Sequence, residues 1–256
     1  MDGIEHVWIH PERINRPLVV FLHEGLGSVA LWRDFPKRFC DAMNVRGLVF
    51  SRKGYGQSTA REPHEHWPAD FMHSQAIDFL PNFFESLGIN TLRDPPILLG
   101  HSDGATIALI YAATYPKRIR SLMALAPHIM IENVTIEAIR QGKVAYETPS
   151  TQLKAKLSRY HADVDSAFYG WCDVWLSKAF QSFDIRALLP SITCPAFAVQ
   201  GENDVYGTMA QIDGIAQLAP QTQLLKLANC GHSPHIDQPD ALLAGCTAWA
   251  DARGGL

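Results

Sequence analysis

Short apolar segments alternate with longer segments of helical periodicity along most of the chain. Residues 18–22 and 121–126 are apolar almost throughout, as expected of strands that are buried on both faces of a parallel sheet. Between such segments apolar residues recur at helical spacing, for example over 72–87. This alternation predicts an α/β fold with a mostly parallel central sheet and helices on both faces. The predicted strands are 4–9 at one edge, 18–22, 48–50, 97–99, 121–126, 194–200 and 223–227.

The alternation stops in the segment 128–189, where only helical patterns occur. Because this segment leaves from the end of one strand and returns to the sheet, we expect it to cover the carboxyl ends of the strands, where open α/β sheets bind ligands. The predicted organisation is therefore one core domain, made of residues 1–127 and 190–256, with a helical cap of residues 128–189. The three helices predicted in the cap are 134–144, 151–160 and 164–176.

Composition narrows the range of partners. The 256 residues carry 22 Lys and Arg against 26 Asp and Glu, a net charge of −4, which predicts neither a nucleic-acid nor a membrane partner. The five cysteines are scattered without a C-x-x-C pair, and the group His64, His66 and His73 is not expected to bind a metal. We therefore expect no metal and no cofactor. The first ten residues do not have the pattern of a signal peptide, which favours a cytoplasmic location.

The segment 100–104 carries the pattern G-x-S-x-G, between a predicted strand and a predicted helix. In that setting the pattern places a serine, here Ser102, on a sharp strained turn where its hydroxyl is accessible. Glycine is needed on either side because a Cβ at Gly100 or Gly104 would collide with neighbouring backbone. The sequence therefore predicts that Ser102 is a nucleophile.

Two residues with complementary chemistry follow other predicted strands. Asp204 lies after the strand 194–200, and His232 lies after the strand 223–227. A serine hydroxyl becomes nucleophilic when an imidazole takes its proton, and a carboxylate holds that imidazole in the right tautomer. The order Ser102, Asp204, His232 therefore predicts a catalytic triad.

Other residues could take the same roles. Asp213 is expected on a solvated helix face, and Asp237 as a loop or capping residue close to His232. His235 follows a proline and is expected at the surface, and His101 is expected to point away from the nucleophile. His23 is expected to brace its loop by hydrogen bonds rather than to take protons.

Taken together, the motifs resemble those of the α/β-hydrolase superfamily, nearly from end to end of the chain. The matching segments are 22–28 with Trp32, 54–58, 100–104, 201–204 and 231–232. The resemblance implies the α/β-hydrolase fold with a helical cap inserted after the sixth strand. It also implies that Ser102 is the nucleophile, His232 the general base and Asp204 its orienting acid.

The resemblance further implies an oxyanion hole made by the backbone N–H groups of Gly25 and Asp103. The chain departs from the family pattern at two positions. Glu24 stands where glycine is common, and Ser51 stands where aspartate is common. The first departure lies in the oxyanion loop, the segment 23–28 that carries Gly25, and neither departure removes a member of the triad.

The predicted function is that of a carboxylesterase-like serine hydrolase that forms an acyl-enzyme on a small-molecule ester. Phe168, Trp171 and Trp175 share one helix face and are expected to line an apolar pocket, which favours small or medium apolar acyl groups. A carbon–carbon bond hydrolase of aromatic ring-cleavage products and a non-catalytic ligand-binding protein of the same fold are the alternatives. The sequence makes no prediction of the oligomeric state.

Overall fold

The computed structural model describes residues 3–62 and 64–255, and residues 1, 2, 63 and 256 of the predicted core lie outside this range. The strands are β1 (His6–Ile9), β2 (Leu18–Leu22), β3 (Arg46–Phe50), β4 (Ile97–His101), β5 (Ser121–Leu125), β6 (Ala196–Gly201) and β7 (Thr222–Leu227). The α-helices are α1 (Phe35–Met43), α2 (Phe71–Ser74), α3 (Leu80–Ser86), α4 (Asp103–Thr114), α5 (Asn133–Glu147), α6 (Leu153–Leu157), α7 (Val164–Leu176), α8 (Ala210–Leu218), α9 (Pro234–Asp237) and α10 (Pro239–Asp251).

One sheet contains all the strands of the described residues, in the order β1-β3-β2-β4-β5-β6-β7. The edge strand β1 runs antiparallel to β3, and every other neighbouring pair is parallel. Successive side chains of β4 point to opposite faces, so Leu98 packs in the core layer that includes α4, whereas Leu99 packs in the layer that includes α1 and α10. The predicted mostly parallel sheet with helices on both faces is confirmed.

The segment between β5 and β6 contains α5, α6 and α7 and, within the described residues, no strand. This segment follows β5, so it is inserted after the fifth strand along the chain and not after the sixth as expected. Within the described residues, β1 alone precedes the parallel strands, so the count is one strand lower. The helix predicted over 151–160 is shorter, covering Leu153–Leu157, since Gln152 has a left-handed backbone (φ +58°) that a continuous helix does not accommodate. No helix in the described ranges is long and apolar enough to cross a membrane.

Parallel strands place their carboxyl ends at one edge of the sheet. The loops that leave β2, β4, β6 and β7 therefore open on the same side, and they carry Gly25, Ser102, Asp204 and His232 respectively. This common edge is the position of the candidate site.

Candidate active site

Ser102 lies at a strained turn between β4 and α4. Its backbone has φ +51° and ψ −119°, a conformation that residues other than glycine rarely adopt. A Cβ added to Gly100 would lie closer than 3.0 Å to the backbone of Gly104, and one added to Gly104 would lie equally close to the carbonyl group of Leu22. The steric reason expected for the two glycines is therefore confirmed.

The three residues of the predicted triad are in hydrogen-bond contact. The Oγ of Ser102 lies 2.9 Å from Nε2 of His232, and Nδ1 of His232 lies 2.8 Å from Oδ2 of Asp204. Asp204 also accepts a hydrogen bond from the backbone N–H of Tyr206 at 2.8 Å. Burial alone would raise the pKa of Asp204, but the bond to His232 and the Tyr206 N–H lower it below its ordinary value. Asp204 is thus held as a carboxylate behind the imidazole.

The alternative acids lie elsewhere. Asp237 accepts a hydrogen bond from the backbone N–H of Gly231 at 2.9 Å, which fixes the loop that carries His232. Asp213 forms an exposed ion pair with Lys226. Neither carboxylate is hydrogen-bonded to the imidazole of His232, whose Nδ1 and Nε2 face Asp204 and Ser102.

The expectation that His235 lies at the surface is wrong. Its side chain is only 4% exposed, and its ring centroid lies 4.7 Å from that of Trp32 and 5.9 Å from that of Phe35. Burial, with the nearby charge of His101, lowers the pKa of His235 to about 3, so the ring is neutral. A neutral imidazole packs among aromatic rings as a weakly polar side chain, which explains its place in the core.

His23 braces its loop as expected. Its Nε2 accepts the backbone N–H of Arg52 at 3.0 Å, so its Nδ1 carries the proton and donates to the carbonyl of Glu24 at 2.6 Å. Burial and the positive charge of Arg52 hold the pKa of His23 well below its usual range. A neutral His23 thus ties the loop after β2 to the loop after β3.

Glu5 provides a carboxylate beside Ser51, the position where the family pattern has aspartate. The Ser51 hydroxyl donates to Glu5 at 2.6 Å and accepts the backbone N–H of Val29 at 2.9 Å. The backbone N–H of Gln57 also donates to the same Glu5 oxygen. Through Ser51 and Glu5, the loop after β3 is hydrogen-bonded to the loop after β2 and to the segment that precedes β1. Serine in place of aspartate at position 51 therefore leaves these segments connected.

A cavity of about 200 Å³ opens above Ser102. Its lining comes from the oxyanion loop, the triad loops and the cap, namely Glu24, Gly25, Leu26, His101, Ser102, His128, Thr135, Ile139, Trp171, Trp175, Tyr206, His232 and Ser233. In the part of the chain that the structure describes, no lysine or arginine lines it. By surface area the lining is mostly apolar, and among the described residues its one carboxylate is that of Glu24.

Two of the three predicted pocket residues, Trp171 and Trp175, line this cavity, but Phe168 does not. The ring of Phe168 instead stacks on Tyr146 of α5, with centroids 3.7 Å apart. The three positions share a face of α7, but Phe168 lies about one turn nearer its start, where α5 covers that face. The prediction for Phe168 is therefore wrong.

Sequence reasoning missed several residues of the cavity. His128 follows β5, and its ring lies edge-on to Trp175 at a centroid distance of 5.0 Å. Burial and the neighbouring His232 lower the pKa of His128 to about 3, so it is neutral. Tyr206 lies two residues after Asp204, with its ring centroid 4.8 Å from that of His232. Both residues lie in the loops after strands β5 and β6, a signal that could have identified them.

Asp103 connects the nucleophile turn to the cap. Its fully buried carboxyl accepts a hydrogen bond from the indole N–H of Trp175 at 3.2 Å, and the guanidinium of Arg52 lies 3.9 Å away. Burial raises the pKa of Asp103 to about 6, despite the opposing effect of Arg52. Because Asp103 is the first residue of α4, its backbone N–H has no acceptor within the helix. Gly25, the other predicted oxyanion donor, lines the cavity.

Comparisons with known proteins are consistent with this geometry. The model of the alpha/beta hydrolase family matches residues 19–244. The human serine hydrolase BPHL is 28% identical over 198 residues, which cover 74% of this chain and 64% of that protein, so the chain spans less than two thirds of that relative. The proline iminopeptidase of Heyndrickxia coagulans is 22% identical, with 88% of each chain covered.

Solved structures share the fold at lower identity. The enol-lactonase from Burkholderia xenovorans LB400 superposes with a TM-score of 0.75 at 18% identity, over 96% of this chain and 95% of that one. A thermophilic esterase from Thermogutta terrifontis gives 0.70 at 19% identity, over 97% and 93%. At this identity the likeness concerns the fold alone.

Proposed function

Because the chain belongs to the alpha/beta hydrolase family, we propose that it is a carboxylesterase-like serine hydrolase that works through Ser102, His232 and Asp204. The observation that carries the proposal is the continuous hydrogen-bonded chain from the Ser102 hydroxyl through His232 to Asp204, at the base of a cavity. An unpaired surface serine would need none of these partners.

In the proposed reaction, the Ser102 oxygen attacks the ester carbonyl while Nε2 of His232 takes the hydroxyl proton. The charge that develops on the carbonyl oxygen is stabilised by the backbone N–H groups of Gly25 and Asp103. His232 then gives its proton to the departing alcohol, which leaves an acyl group on Ser102. Water, deprotonated by His232, releases the acid and restores the serine. Asp204 stabilises the imidazolium in both halves of the reaction.

We propose neutral esters with small or medium apolar acyl groups as substrates, and residues 128–189 as the cap that encloses them. The cavity of about 200 Å³ is smaller than the roughly 300–1,000 Å³ that is usual for drug-sized ligands. Trp171, Trp175 and Ile139 of the cap supply apolar surface, and Thr135 adds a hydroxyl.

Covalent labelling tests the nucleophile directly. A fluorophosphonate probe should add one phosphonyl group to the intact protein, and peptide mapping should locate it at Ser102. Ser102→Ala should remove labelling and leave the circular dichroism spectrum unchanged. Ser233→Ala is the matched control and should leave labelling intact, because Ser233 lines the same cavity but the imidazole nitrogens of His232 bond Asp204 and Ser102 instead. Labelling that persists in Ser102→Ala would contradict the assignment.

The aromatic lining also suits a carbon–carbon bond hydrolase, but the lack of a lysine or arginine among the described lining residues disfavours that function. Ring-cleavage products carry a carboxylate, and burying that group in a cavity that no described lysine or arginine lines is costly. We therefore expect kcat/KM for an aryl acetate or butyrate to exceed kcat/KM for a dienone acid. Faster turnover of the dienone acid than of every ester in an acyl series would overturn the esterase proposal.

A further inference from the structure

The imidazole of His101, the last residue of β4, lies between two hydrogen-bond acceptors. Its Nε2 is 2.7 Å from the backbone carbonyl oxygen of His232, and its Nδ1 is 3.3 Å from Oε2 of Glu24. A neutral imidazole has one N–H and can donate to only one of them, whereas an imidazolium donates to both. The geometry therefore selects either a charged His101 or a protonated Glu24.

We propose that Glu24 and His101 form a carboxylate–imidazolium pair that holds the oxyanion loop and the His232 loop against the nucleophile turn. Glu24 directly precedes Gly25, and His101 directly precedes Ser102. Through its two N–H groups, His101 thus connects the nucleophile turn to the loops that carry Gly25 and His232. The proposed reaction requires these three loops in fixed relative positions. Both side chains are positioning residues, and Glu24 replaces the glycine that is common in the family.

Charges around the pair favour the ionic form. The titratable or charged side chains that face it are His23, Arg52, Asp103, His128, His161, Asp204, His232 and His235. Burial by itself would raise the pKa of Glu24, but the hydrogen bond to His101 and the positive charge of His101 lower it well below its usual range. Burial likewise opposes a charge on His101, yet Glu24 and the His232 carbonyl raise its pKa.

The Glu24 side chain has little freedom to leave this position. Its carboxylate fills the space next to Gly27, where an added Cβ would lie closer than 3.0 Å to it, and the side chain is only 20% exposed. The backbone of Glu24 is also held, because Arg52 donates a hydrogen bond to its carbonyl oxygen at 3.0 Å. The carboxylate therefore stays beside the oxyanion loop, where its charge must be balanced.

The charge balance between Glu24 and His101 affects the oxyanion hole, an effect that rests on the proposed function. An unpaired carboxylate one residue from Gly25 would oppose the negative charge that develops on the substrate carbonyl oxygen. With His101 charged, the pair is neutral overall and leaves the oxyanion donors effective. Loss of the His101 proton at high pH would break one of its two hydrogen bonds and leave the negative charge of Glu24 uncompensated.

Nitrogen NMR of the protein labelled with ¹⁵N-histidine tests the charge without any substrate. At pH 8 both ring nitrogens of His101, assigned by their loss in His101→Asn, should be protonated. In Glu24→Gln, which keeps a hydrogen-bonding partner but removes the negative charge, His101 should carry one proton only. A wild-type His101 with an unprotonated Nδ1 at pH 8 would overturn the proposal, whatever the protein hydrolyses.

A paired substitution tests the positioning role in the reaction. His101→Asn should lower kcat/KM for a small aryl ester by about 10²- to 10³-fold, the scale of a lost oxyanion donor. Adding Glu24→Gln to this variant should restore at least tenfold, because it removes the unpaired carboxylate. A purely structural role for His101 gives no such recovery, so a double variant no more active than His101→Asn would refute the pair.

The pH profile provides a third measurement. Activity of the wild type should fall on the alkaline side as His101 loses its proton, and this limb should be absent in Glu24→Gln. The rate of fluorophosphonate labelling should show the same difference. If Ser102 is not labelled at all, the proposed function fails while the NMR result still decides the charge state of His101.

Discussion

Replacing Gly25 with alanine should disable the site through a clash with the cap. The added Cβ would lie closer than 3.0 Å to Cδ1 and Nε1 of Trp171, so the loop and the indole must separate by about 1 Å or more to reach ordinary contact. Trp171 is buried and packs edge-on against Phe168, with centroids 5.9 Å apart, so its ring has little room to retreat. The loop that carries the Gly25 N–H must therefore move.

A displacement of this size is large for a catalytic donor. Misplacement by about 1 Å costs on the order of 10²-fold in rate, and complete loss of one oxyanion donor costs about 10²- to 10³-fold. We therefore expect Gly25→Ala to lower kcat by about 10²- to 10³-fold. Overpacking of this kind should also lower the free energy of unfolding by about 1–3 kcal/mol.

The assay is kcat and KM for one small aryl ester, with urea unfolding of each variant. Gly142→Ala is the matched control, since nothing lies within 4 Å of its added Cβ and it occupies the interior of α5. It should keep full activity and gain about 0.5–1 kcal/mol of stability. Adding Trp171→Leu to Gly25→Ala should recover at least tenfold in kcat by making room for the Cβ.

Gly104→Ala separates a side-chain clash from a backbone clash. Its Cβ would meet the backbone carbonyl of Leu22, so no side-chain truncation can relieve it, and Trp171→Leu should not rescue this variant. If Gly25→Ala keeps kcat within threefold of the wild type, or if Trp171→Leu brings no recovery, the reasoning about the contact between loop and cap is refuted.

Three further predictions concern the triad, the pocket and a buried carboxyl. Asp204→Asn should lower kcat by about 10⁴-fold, by analogy with serine proteases, whereas Asp237→Asn should change kcat much less; the reverse result in steady-state kinetics would reassign the acid. Trp171→Ala should shift the preferred acyl length in a kcat/KM series, whereas Phe168→Ala should reduce stability by about 3–5 kcal/mol with the acyl preference unchanged, and equal acyl profiles in both variants would remove Trp171 from the pocket. In the folded state the pKa of Asp103 is raised to about 6 from 3.8. Between these two pH values the folded state holds the proton that the unfolded state has lost, so the wild type loses stability as the pH rises from 3.8 to about 6. Asp103→Asn should therefore gain about 2–3 kcal/mol relative to the wild type between pH 4 and pH 7 in urea unfolding, and a difference that does not change with pH would contradict the cause.

Local pattern determined the architecture of this protein to a large extent. Continuous apolar runs such as Leu18–Leu22 are buried over their whole length, because a parallel strand covered on both faces cannot alternate. Parallel strands in turn bring their carboxyl ends to one edge. Ser102, Asp204 and His232 could therefore be placed together from their positions after strands, although up to 130 residues separate them.

Tertiary structure decided which side chains meet across distant segments. Helical periodicity assigns a residue to a face but does not say what covers each turn, so Phe168 packs on Tyr146 while Trp171 reaches the cavity. The periodicity could not separate these two outcomes, since the neighbouring helix α5 is set by the fold of the whole cap.

Polar side chains were the least predictable from sequence, because their protonation depends on neighbours that only the fold supplies. His235 becomes a neutral core residue beside Trp32, which lies about 200 positions earlier in the chain. His101 meets Glu24 across 77 positions, and the two acceptors on either side of its ring exist only once the three loops are assembled. Sequence therefore determined the strands, their direction and the order of the reactive groups, whereas the partners of each ionisable group were decided by long-range packing.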